Sequence, residues 1–344
     1  MIRFFGESAA GGGARIWREN LADPRALLLL AALALGLAAI VLPPVPATRE
    51  GVDILAVVDI TGSMNTRDYK LYGKPISRLA VAKAALKDLI ANLPCPSRLG
   101  LALFSERTPF LLFEPIDVCR DYGAVAGAID SIDWREAWEG DSHIASGLYR
   151  AIDMAKDLNS NLIFITDGQE SPPLPLSGGP PFDGKAGEVR GLIVGAGGYA
   201  LAPIPKFDDR GNETGFWGVD DVPHESRFGP PPTGAESRPG FEARNAPFGA
   251  MAPKGTEHLS SVREPYLKSL ADETGLAYAH MNGPSGLTEA LAPVATRRAS
   301  LGFIDPRPVA GALALAALLA VYVFFPVRER LRRARGGFPL QGAL

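Results

Sequence analysis

The sequence predicts an α/β fold, with a doubly wound and mostly parallel sheet that has one antiparallel edge strand and is flanked by two transmembrane helices. Three observations predict this fold. Apolar runs of strand length alternate with segments that repeat apolar residues at helical spacing. Fully apolar strands are typical of a parallel sheet that helices cover on both faces. Two longer uncharged apolar runs border the alternating region.

The predicted elements follow in chain order. We expect strands at 51–59 and in "RLGLALF", "PFLLFEPI", "NLIFITDG", "VRGLIVGAGG" and "LAYAHM", and helices at 77–93, 122–132, 142–158, 262–274 and 285–295. The second and third strands are joined only by "SERT", which predicts a hairpin with its outer strand at a sheet edge. Two Pro- and Gly-rich insertions, 170–187 and 199–254, interrupt the pattern. The second is too long for an ordinary connection, which indicates function or disorder.

The two bordering apolar runs cover 26–44 and 308–326. Each is near the short end of the roughly 17–25 residues that a spanning helix needs, and neither has the polar stripe of a core helix. The tails outside them, 1–25 and 327–344, hold nine arginines and four acidic residues. By the positive-inside rule, both tails are cytoplasmic. We therefore expect a bacterial inner-membrane protein with two spans and a periplasmic domain at 51–296.

A cleavable signal peptide is the alternative for the first apolar run. Its leading region would be long and would contain acidic residues, and the prolines of "PPVPATRE" make a poor cleavage site. A retained anchor is therefore the favoured interpretation.

The two cysteines, Cys95 and Cys119, flank the predicted hairpin. Pairing the hairpin about Arg107 places them opposite each other at its open end. This placement favours a disulfide, which suits an oxidising compartment. Two free buried cysteines are the alternative, because Pro94 and Pro96 could turn Cys95 away.

Oxygen-bearing side chains follow the ends of two predicted strands. Asp59 and Asp167 each end a strand, and Thr61 and Ser63 follow the first. Ser142 lies in a third loop, at the start of a predicted helix, where N-capping is its simple alternative role. Ligands of open parallel sheets bind beyond the carboxyl ends of the strands. Carboxylate and hydroxyl oxygens gathered there suit a hard divalent cation.

These residues resemble the metal-ion-dependent adhesion site of the von Willebrand factor A domain, which reads D-x-S-x-S, then Thr, then Asp. The matching pieces are Asp59-Ile60-Thr61-Gly62-Ser63, Ser142 and Asp167-Gly168. Thr61 replaces the family's first serine and Ser142 its threonine, so both hydroxyls are kept. The resemblance implies that Thr61 and Ser63 ligate directly, with the acids acting partly through water. It also implies Mg²⁺ in preference to Ca²⁺, with an open position that accepts a partner's carboxylate.

Longer stretches narrow the resemblance. "VVDITGSMNTRDY", "GLALFSERTPFLLFEP", "DWREAWEGDSHIASGLYRAI" and "GGYALAPIPKFDDRG" are similar to membrane-anchored von Willebrand A proteins of bacterial methanol-oxidation gene clusters. This implies a role in maturing the periplasmic PQQ-dependent methanol dehydrogenase by Ca²⁺ insertion, beside sister von Willebrand A proteins and a MoxR-type AAA+ ATPase. The alternatives are a general envelope adhesion or stress-tolerance protein, and a non-catalytic subunit of a chelatase-like complex.

Motifs of catalysis are missing from the sequence. The four histidines, His143, His224, His258 and His280, do not have metal-ligand spacing. The chain has no G-x-S-x-G elbow and no P-loop lysine. A net charge of −3 does not favour nucleic acid as a partner. We therefore expect a protein-binding module and not an enzyme.

Two further groups of residues have open interpretations. Trp134 and Trp138 either pack on the domain's own surface or, with His143, form a rim at which a partner docks. The second insertion is rich in acidic and amide residues: Asp208, Asp209, Asn212, Glu213, Asp220 and Asp221. Their spacing does not match an EF-hand loop, so a solvated acidic loop is favoured over a second calcium site.

Overall fold

The computed structural model describes residues 23–138, 140–175, 178–219, 221–222, 233–237, 239–243 and 255–335. The chain divides into two compact units. Arg49–Ser300 form the larger unit, and the segments on either side of it form the smaller one.

The elements are as follows. The strands are β1 (Val45–Asp59), β2 (Tyr69–Leu71), β3 (Lys74–Ile76), β4 (Arg98–Ser105), β5 (Thr108–Asp117), β6 (Asn161–Thr166), β7 (Gly191–Gly195), β8 (Ala202–Pro203), β9 (Pro205–Phe207), β10 (Glu213–Phe216), β11 (Leu259–Ser260), β12 (Ala277–His280) and β13 (Arg297–Ile304). The helices are α1 (Pro24–Val41), α2 (Arg78–Asn92), α3 (Tyr122–Ser131), α4 (Ile144–Asp157), α5 (Glu264–Thr274), α6 (Leu287–Leu291), α7 (Arg307–Leu319) and α8 (Phe325–Arg335).

The main sheet has the strand order β12-β7-β6-β1-β4-β5, and β13 also pairs with β1. The pairs β1–β4, β1–β6, β6–β7 and β7–β12 are parallel. β4 and β5 are antiparallel, and β5 lies at the edge. The prediction of a mostly parallel sheet with one antiparallel edge strand is confirmed. β13 is an addition that the sequence patterns did not predict.

From residue 51 onward, strand β1 is buried on both faces, which explains the continuous apolar run in this part of the strand. Alternate residues of a strand face opposite sides of the sheet. Ile54, Ala56 and Val58 therefore pack in one layer with residues of α2 and α3, such as Leu86 and Ile129. Leu55 and Val57 pack in the other layer, with residues of α4 and α5, such as Leu148 and Leu267. The resulting two-sided core holds the end of β1 in a fixed position.

Several helix ends differ from the predicted ones. α2 begins directly after Ser77, whose Oγ accepts a hydrogen bond from the Ala80 N–H at 3.2 Å and caps the helix. The predicted helix at 285–295 is reduced to α6, because Gly286 adopts a left-handed φ of +105° and the helix starts only after it. The insertion at 199–254 contributes strands β8, β9 and β10, where β9 pairs with β10 and β8 with β11.

The hairpin places the two cysteines together. Leu101 lies opposite Phe113, and the strands meet at Ser105 and Thr108. Cys95 and Cys119 form a disulfide, with their Cα atoms 5.9 Å apart. The bond joins the start of β4 to the chain beyond β5.

The smaller unit contains two helices that are long and apolar enough to cross a membrane, Pro24–Val41 and Arg307–Ala334. The second combines α7, a π-helical turn at Ala320–Phe324 and α8. The two helices pack together closely, since a Cβ at Gly311 would lie 4.0 Å from the Cβ of Ala39. Arg25 and Glu329 form an ion pair between them.

Candidate metal site

Three loops meet at the carboxyl edge of the sheet. β1 and β6 are parallel neighbours, so Asp59 at the end of β1 and Asp167 after β6 reach the same edge. Ser142 precedes α4, and its backbone exchanges two hydrogen bonds with Ser171, of 2.7 and 2.8 Å, in the loop after Asp167. Ser142 also forms a bridge with Glu106 at the tip of the β4–β5 hairpin. These backbone contacts fix Ser142 against the loop that follows Asp167.

Asp59 is fully buried and surrounded by neutral donors. Its Oδ1 accepts hydrogen bonds from the Thr61 N–H at 2.9 Å and from the Thr61 Oγ1 at 2.7 Å. Its Oδ2 accepts from the Thr166 hydroxyl at 2.7 Å. Burial, followed by the negative charge of Asp167, raises the pKa of Asp59 to about 7 despite these hydrogen bonds. Within the described ranges, the contacts of Asp59 are with neutral groups, and no cationic side chain compensates its charge.

Asp167 is also fully buried, and it has a cationic partner. Its Oδ2 accepts hydrogen bonds from Arg78 Nη1 at 2.6 Å and from the Ser260 hydroxyl at 2.9 Å. Its Oδ1 accepts from the Gln169 N–H at 3.0 Å. Arg78 is wholly buried and also binds Asp68, so it is held on both sides. Sequence analysis missed Arg78, which by pattern is only a residue in the first turn of a helix.

Ser142 has a buried hydroxyl without a hydrogen-bond partner among the described residues. The side chain is 3% exposed. It does not cap α4, because the N-cap position belongs to His143. Glu170 provides a side-chain acceptor at the start of α4 instead, because its Oε1 accepts a hydrogen bond from the Ala145 N–H at 3.0 Å. The N-capping alternative for Ser142 is therefore wrong, and its oxygen is left for a ligand that the chain itself does not supply.

The hydroxyl residues open onto a cavity of about 250 Å³. Thr61, Ser63 and Ser142 line this cavity together with Gln169. The insertion contributes Ile204, Trp217, Asp221 and Val222 to its walls, and Asp141 and Glu257 also line it. No group of three His, Cys, Asp or Glu side chains in the described ranges could hold a metal. A cation here therefore needs the hydroxyls, and two carboxylates with three hydroxyls are a donor set that fits a hard divalent ion.

The predicted rim residues have different surroundings. The Trp134 ring stacks on Phe207 of the insertion, with centroids 4.4 Å apart, so Trp134 packs on the domain's own surface. Trp138 is 47% exposed and touches Phe110 only edge-on, at 6.4 Å between centroids. Burial lowers the pKa of His143, and its Nε2 is buried without a hydrogen-bond partner in the described part of the chain. Only Trp138 keeps the exposure that a docking rim needs.

The acidic residues of the insertion are engaged locally. Asp208 accepts hydrogen bonds from the backbone of Arg210 and Asn212, which closes a turn. Glu213 pairs with Arg67, and Asp221 pairs with Lys206 at 3.0 Å. Asp220 lies outside the described residues. These turns and ion pairs agree with a solvated acidic loop.

Comparison with known proteins identifies the fold. Residues 54–169 match the family described as von Willebrand factor type A domain. Among solved structures, the chain is similar to an aerotolerance-related membrane protein from Bacteroides fragilis NCTC 9343, with 16% identity over 71% of this chain and 98% of that chain and a TM-score of 0.43. An uncharacterized membrane spanning protein from Vibrio fischeri has 18% identity over 66% and 89% of the two chains, with a TM-score of 0.27.

A von Willebrand factor type A structure from Catenulispora acidiphila has 12% identity over 79% of this chain and 50% of that chain, with a TM-score of 0.35. No curated protein matches the chain. The α/β architecture, its strand order and the matched segment together describe a von Willebrand A fold.

Proposed function

We propose that this chain, whose residues 54–169 match the von Willebrand factor type A domain, is a membrane-anchored protein-binding module, not an enzyme, that holds an acidic group of a client protein through a divalent cation. One observation carries the proposal. The buried hydroxyl of Ser142 has no partner among the described residues, and its backbone is bonded to the loop that follows Asp167. Asp167 and Asp59 are neighbouring carboxylates, of which only Asp167 has a cationic contact in the described ranges. A bound cation would satisfy all three groups.

The residues that would hold the cation are Asp59, Thr61, Ser63, Ser142 and Asp167. When bound, the ion supplies positive charge and a coordination position for a client carboxylate, and Mg²⁺ is favoured over Ca²⁺ because hydroxyl and water ligands suit its octahedral preference. The Asp59 carboxylate orients the Thr61 hydroxyl by accepting a hydrogen bond from it. Thr166 fixes the other oxygen of Asp59. Arg78 and Ser260 hold Asp167 in place.

The proposed location is the bacterial inner membrane, with two spans, both termini in the cytoplasm and the domain in the periplasm. The two apolar helices support membrane association. The arginine-rich tails support the orientation through the positive-inside rule. The Cys95–Cys119 disulfide suits an oxidising compartment.

The proposed client is a periplasmic PQQ-dependent methanol dehydrogenase, with Ca²⁺ insertion as the step that the protein assists. The support is the resemblance of four long stretches of this sequence to MxaL of the methanol-oxidation cluster. On the basis of the same resemblance, we propose sister von Willebrand A proteins and a MoxR-type AAA+ ATPase as partners. A general envelope adhesion or stress-tolerance role, or a non-catalytic place in a chelatase-like complex, would use the same cation site with other clients.

The test replaces the gene with a Ser142→Ala variant in the organism that encodes it. We expect normal amounts of the membrane protein and a loss of calcium-loaded methanol dehydrogenase, measured as enzyme activity and as bound calcium in the purified enzyme. Ser131→Ala, at an exposed serine outside the site, is the matched control. Full dehydrogenase activity in the Ser142→Ala strain would contradict the proposed client, and a new sensitivity to envelope stress in the same strain would favour the stress-tolerance role.

A further inference from the structure

The hairpin formed by β2 and β3 follows the first loop of the candidate metal site and projects from the larger unit. Its base is anchored, because Tyr69 and Ile76 lie opposite each other and both pack against the hydrophobic core. The Tyr69 hydroxyl accepts a hydrogen bond from the Gly197 N–H at 2.8 Å and donates one to the Met281 carbonyl. A Cβ added at Gly73, at the tip, would meet no described atom within 4 Å. The β2–β3 hairpin is therefore fixed at its base, and its tip projects into open space.

Tyr72 occupies the tip of this hairpin in an unfavourable backbone conformation. Leu71 pairs with Lys74, so Tyr72 and Gly73 form a two-residue turn, and both have positive φ, of +50° and +79°. This is the pattern of a type I′ turn, which favours Asn, Asp or Gly at its first position. A bulky side chain at positive φ is strained, and Tyr72 is 96% exposed, so packing within the domain does not offset the strain. A strained and exposed aromatic residue indicates a contact outside the chain.

The exposed side chains on either side of Tyr72 are basic. Lys70 and Lys74 flank it on the two strands, and both are exposed. Neither lysine side chain forms an ion pair with a described residue. The acid nearest in sequence, Asp68, is already engaged by Arg78 at 2.6 Å. An aromatic ring between two uncompensated positive charges is complementary to an apolar recess in an acidic surface, and tyrosine is enriched among the residues that dominate protein interfaces.

Two other occupants fit this tip less well. A second copy of the chain would bring four lysines together, which charge repulsion disfavours. A basic and aromatic tip also suits an anionic lipid surface. The apolar segments, however, connect to the larger unit at Arg49 in β1 and at Ser300 in its partner β13, whereas the β2–β3 hairpin follows the carboxyl end of β1. The tip therefore lies at the opposite edge of the sheet from these connections, which favours a protein partner.

We propose that the β2–β3 hairpin is a docking element that inserts the Tyr72 ring into an apolar recess of a partner protein, while Lys70 and Lys74 contact acidic residues around that recess. This inference goes beyond the proposed function, because the contact needs no cation. The strain at Tyr72 is explained by a side chain that is placed for binding and not for folding.

The experiment replaces Tyr72 by the photo-crosslinking amino acid p-benzoylphenylalanine in the full chain, in the organism that encodes it. On irradiation of the cells, we expect an adduct with a protein, and we expect the cross-linked peptide to lie in a surface where Asp and Glu outnumber Lys and Arg. The same replacement of Tyr122, 44% exposed at the start of α3, is the matched control and should give at least about tenfold less adduct. Adduct at position 72 no stronger than at position 122, or only with lipid or with a second copy of the chain, would overturn the proposal.

Reversal of charge tests the acidic character of the partner. Lys70→Glu combined with Lys74→Glu should lower the yield of the adduct at position 72 by about tenfold, because attraction becomes repulsion. Lys185→Glu combined with Arg190→Glu makes the same change in net charge at two exposed residues of another surface, and it should leave the yield unchanged. An equal effect of the two double variants would overturn the acidic partner.

A third measurement separates binding from folding at Tyr72. Asn tolerates positive φ, so Tyr72→Asn should leave the melting temperature of the full chain in detergent unchanged or raise it by up to about 4 °C. The same variant should bind the cross-linked partner at least about tenfold more weakly than wild type. A lower melting temperature would show that Tyr72 supports the fold, and unchanged partner affinity would overturn its role in docking.

Failure of this inference can be distinguished from failure of the proposed function, because none of the three measurements requires the cation. If wild type binds Mg²⁺ and position 72 gives no specific protein adduct, the cation site stands and the docking hairpin is overturned. If the adduct forms as expected and wild type binds no Mg²⁺, the docking hairpin stands and the proposed function fails at its cation site.

Discussion

The two ends of the buried part of strand β1, residues 51–59, contain the same type of residue in opposite electrostatic settings. Near the amino end of this part, Asp53 is contacted by Arg98 at 2.6 Å and by Arg298 at 2.7 Å. Burial alone would raise the pKa of Asp53, but the hydrogen bonds from the two arginines outweigh burial and lower it. At the carboxyl end, Asp59 has no cationic contact among the described residues, and burial together with Asp167 raises its pKa to about 7.

This difference separates a structural from a functional use of buried charge. The Asp53 end is complete within the chain, because each of its charges has a partner. The Asp59 end is incomplete, because two acids face one arginine and Ser142 has no hydrogen-bond partner in the described ranges. A buried charge without compensation normally destabilises a protein, so its retention indicates a ligand that arrives from outside.

The largest expected effect is the response of the metal-free protein to pH. The folded-state pKa of Asp59 lies above its unfolded value of about 3.9, so burying its charge costs stability above that pH. The free energy of unfolding should fall as pH rises from about 4 to 7, with a slope of up to roughly 1.4 kcal/mol per pH unit. Urea unfolding in EDTA at several pH values measures it. Asp59→Asn should remove this slope, and a slope that is equally steep in the variant would contradict the assignment.

The Asp53 end should respond to pH with the opposite sign. Its folded-state pKa is lowered, so its stabilisation is complete above the unfolded value and is lost as pH falls through the folded one. Asp53→Asn at neutral pH should lower the free energy of unfolding by about 2–3 kcal/mol. This loss is smaller than the loss expected when a fully buried ion pair is broken, because the side chains of Arg98 and Arg298 are about 40% exposed. Asp59→Asn in EDTA should leave stability at neutral pH unchanged or higher. Equal losses in the two variants would remove the distinction between the two ends.

A smaller difference in the free energy of unfolding is expected between the alanine variants of two buried serines, Ser97 and Ser142. Ser97 Oγ accepts a hydrogen bond from the Val52 N–H at 3.0 Å and donates to the Pro94 carbonyl at 2.6 Å. Ser97→Ala should therefore cost about 1–3 kcal/mol of unfolding free energy. Ser142→Ala removes a hydroxyl without a partner in the described residues, so metal-free stability should be unchanged or slightly higher. A loss in Ser142→Ala as large as that in Ser97→Ala would mean that its hydroxyl has an internal structural role.

The sequence predicted the parts of the site that depend on local pattern. An apolar run that ends in Asp59 predicts both the strand and the position of its acid, and parallel pairing brings Asp167 to the same edge. The disulfide partners followed from counting along a hairpin. These features depend on strand spacing and on short turns, which sequence patterns express directly.

The parts that sequence analysis missed depend on tertiary packing. Arg78 reaches Asp167 across 89 positions of the chain, and nothing in the first turn of a helix marks it as a buried ion-pair partner. Trp217 enters the cavity wall through an insertion without periodic pattern. Gln169 is polar and follows a predicted strand, but the burial of its amide depends on the segment at Glu257. Strand β13 was missed because its pairing with β1 adds a strand beyond the alternating region.

The most direct test of the central claim is a calorimetric titration of Mg²⁺ into the full chain in detergent, for wild type and for Ser142→Ala at the same pH. We expect wild type to bind one Mg²⁺ per chain, and we expect Ser142→Ala to bind it about 10- to 100-fold more weakly while keeping its metal-free stability. Absence of Mg²⁺ binding by wild type, or the same affinity in both proteins, would contradict a cation site built from these three loops.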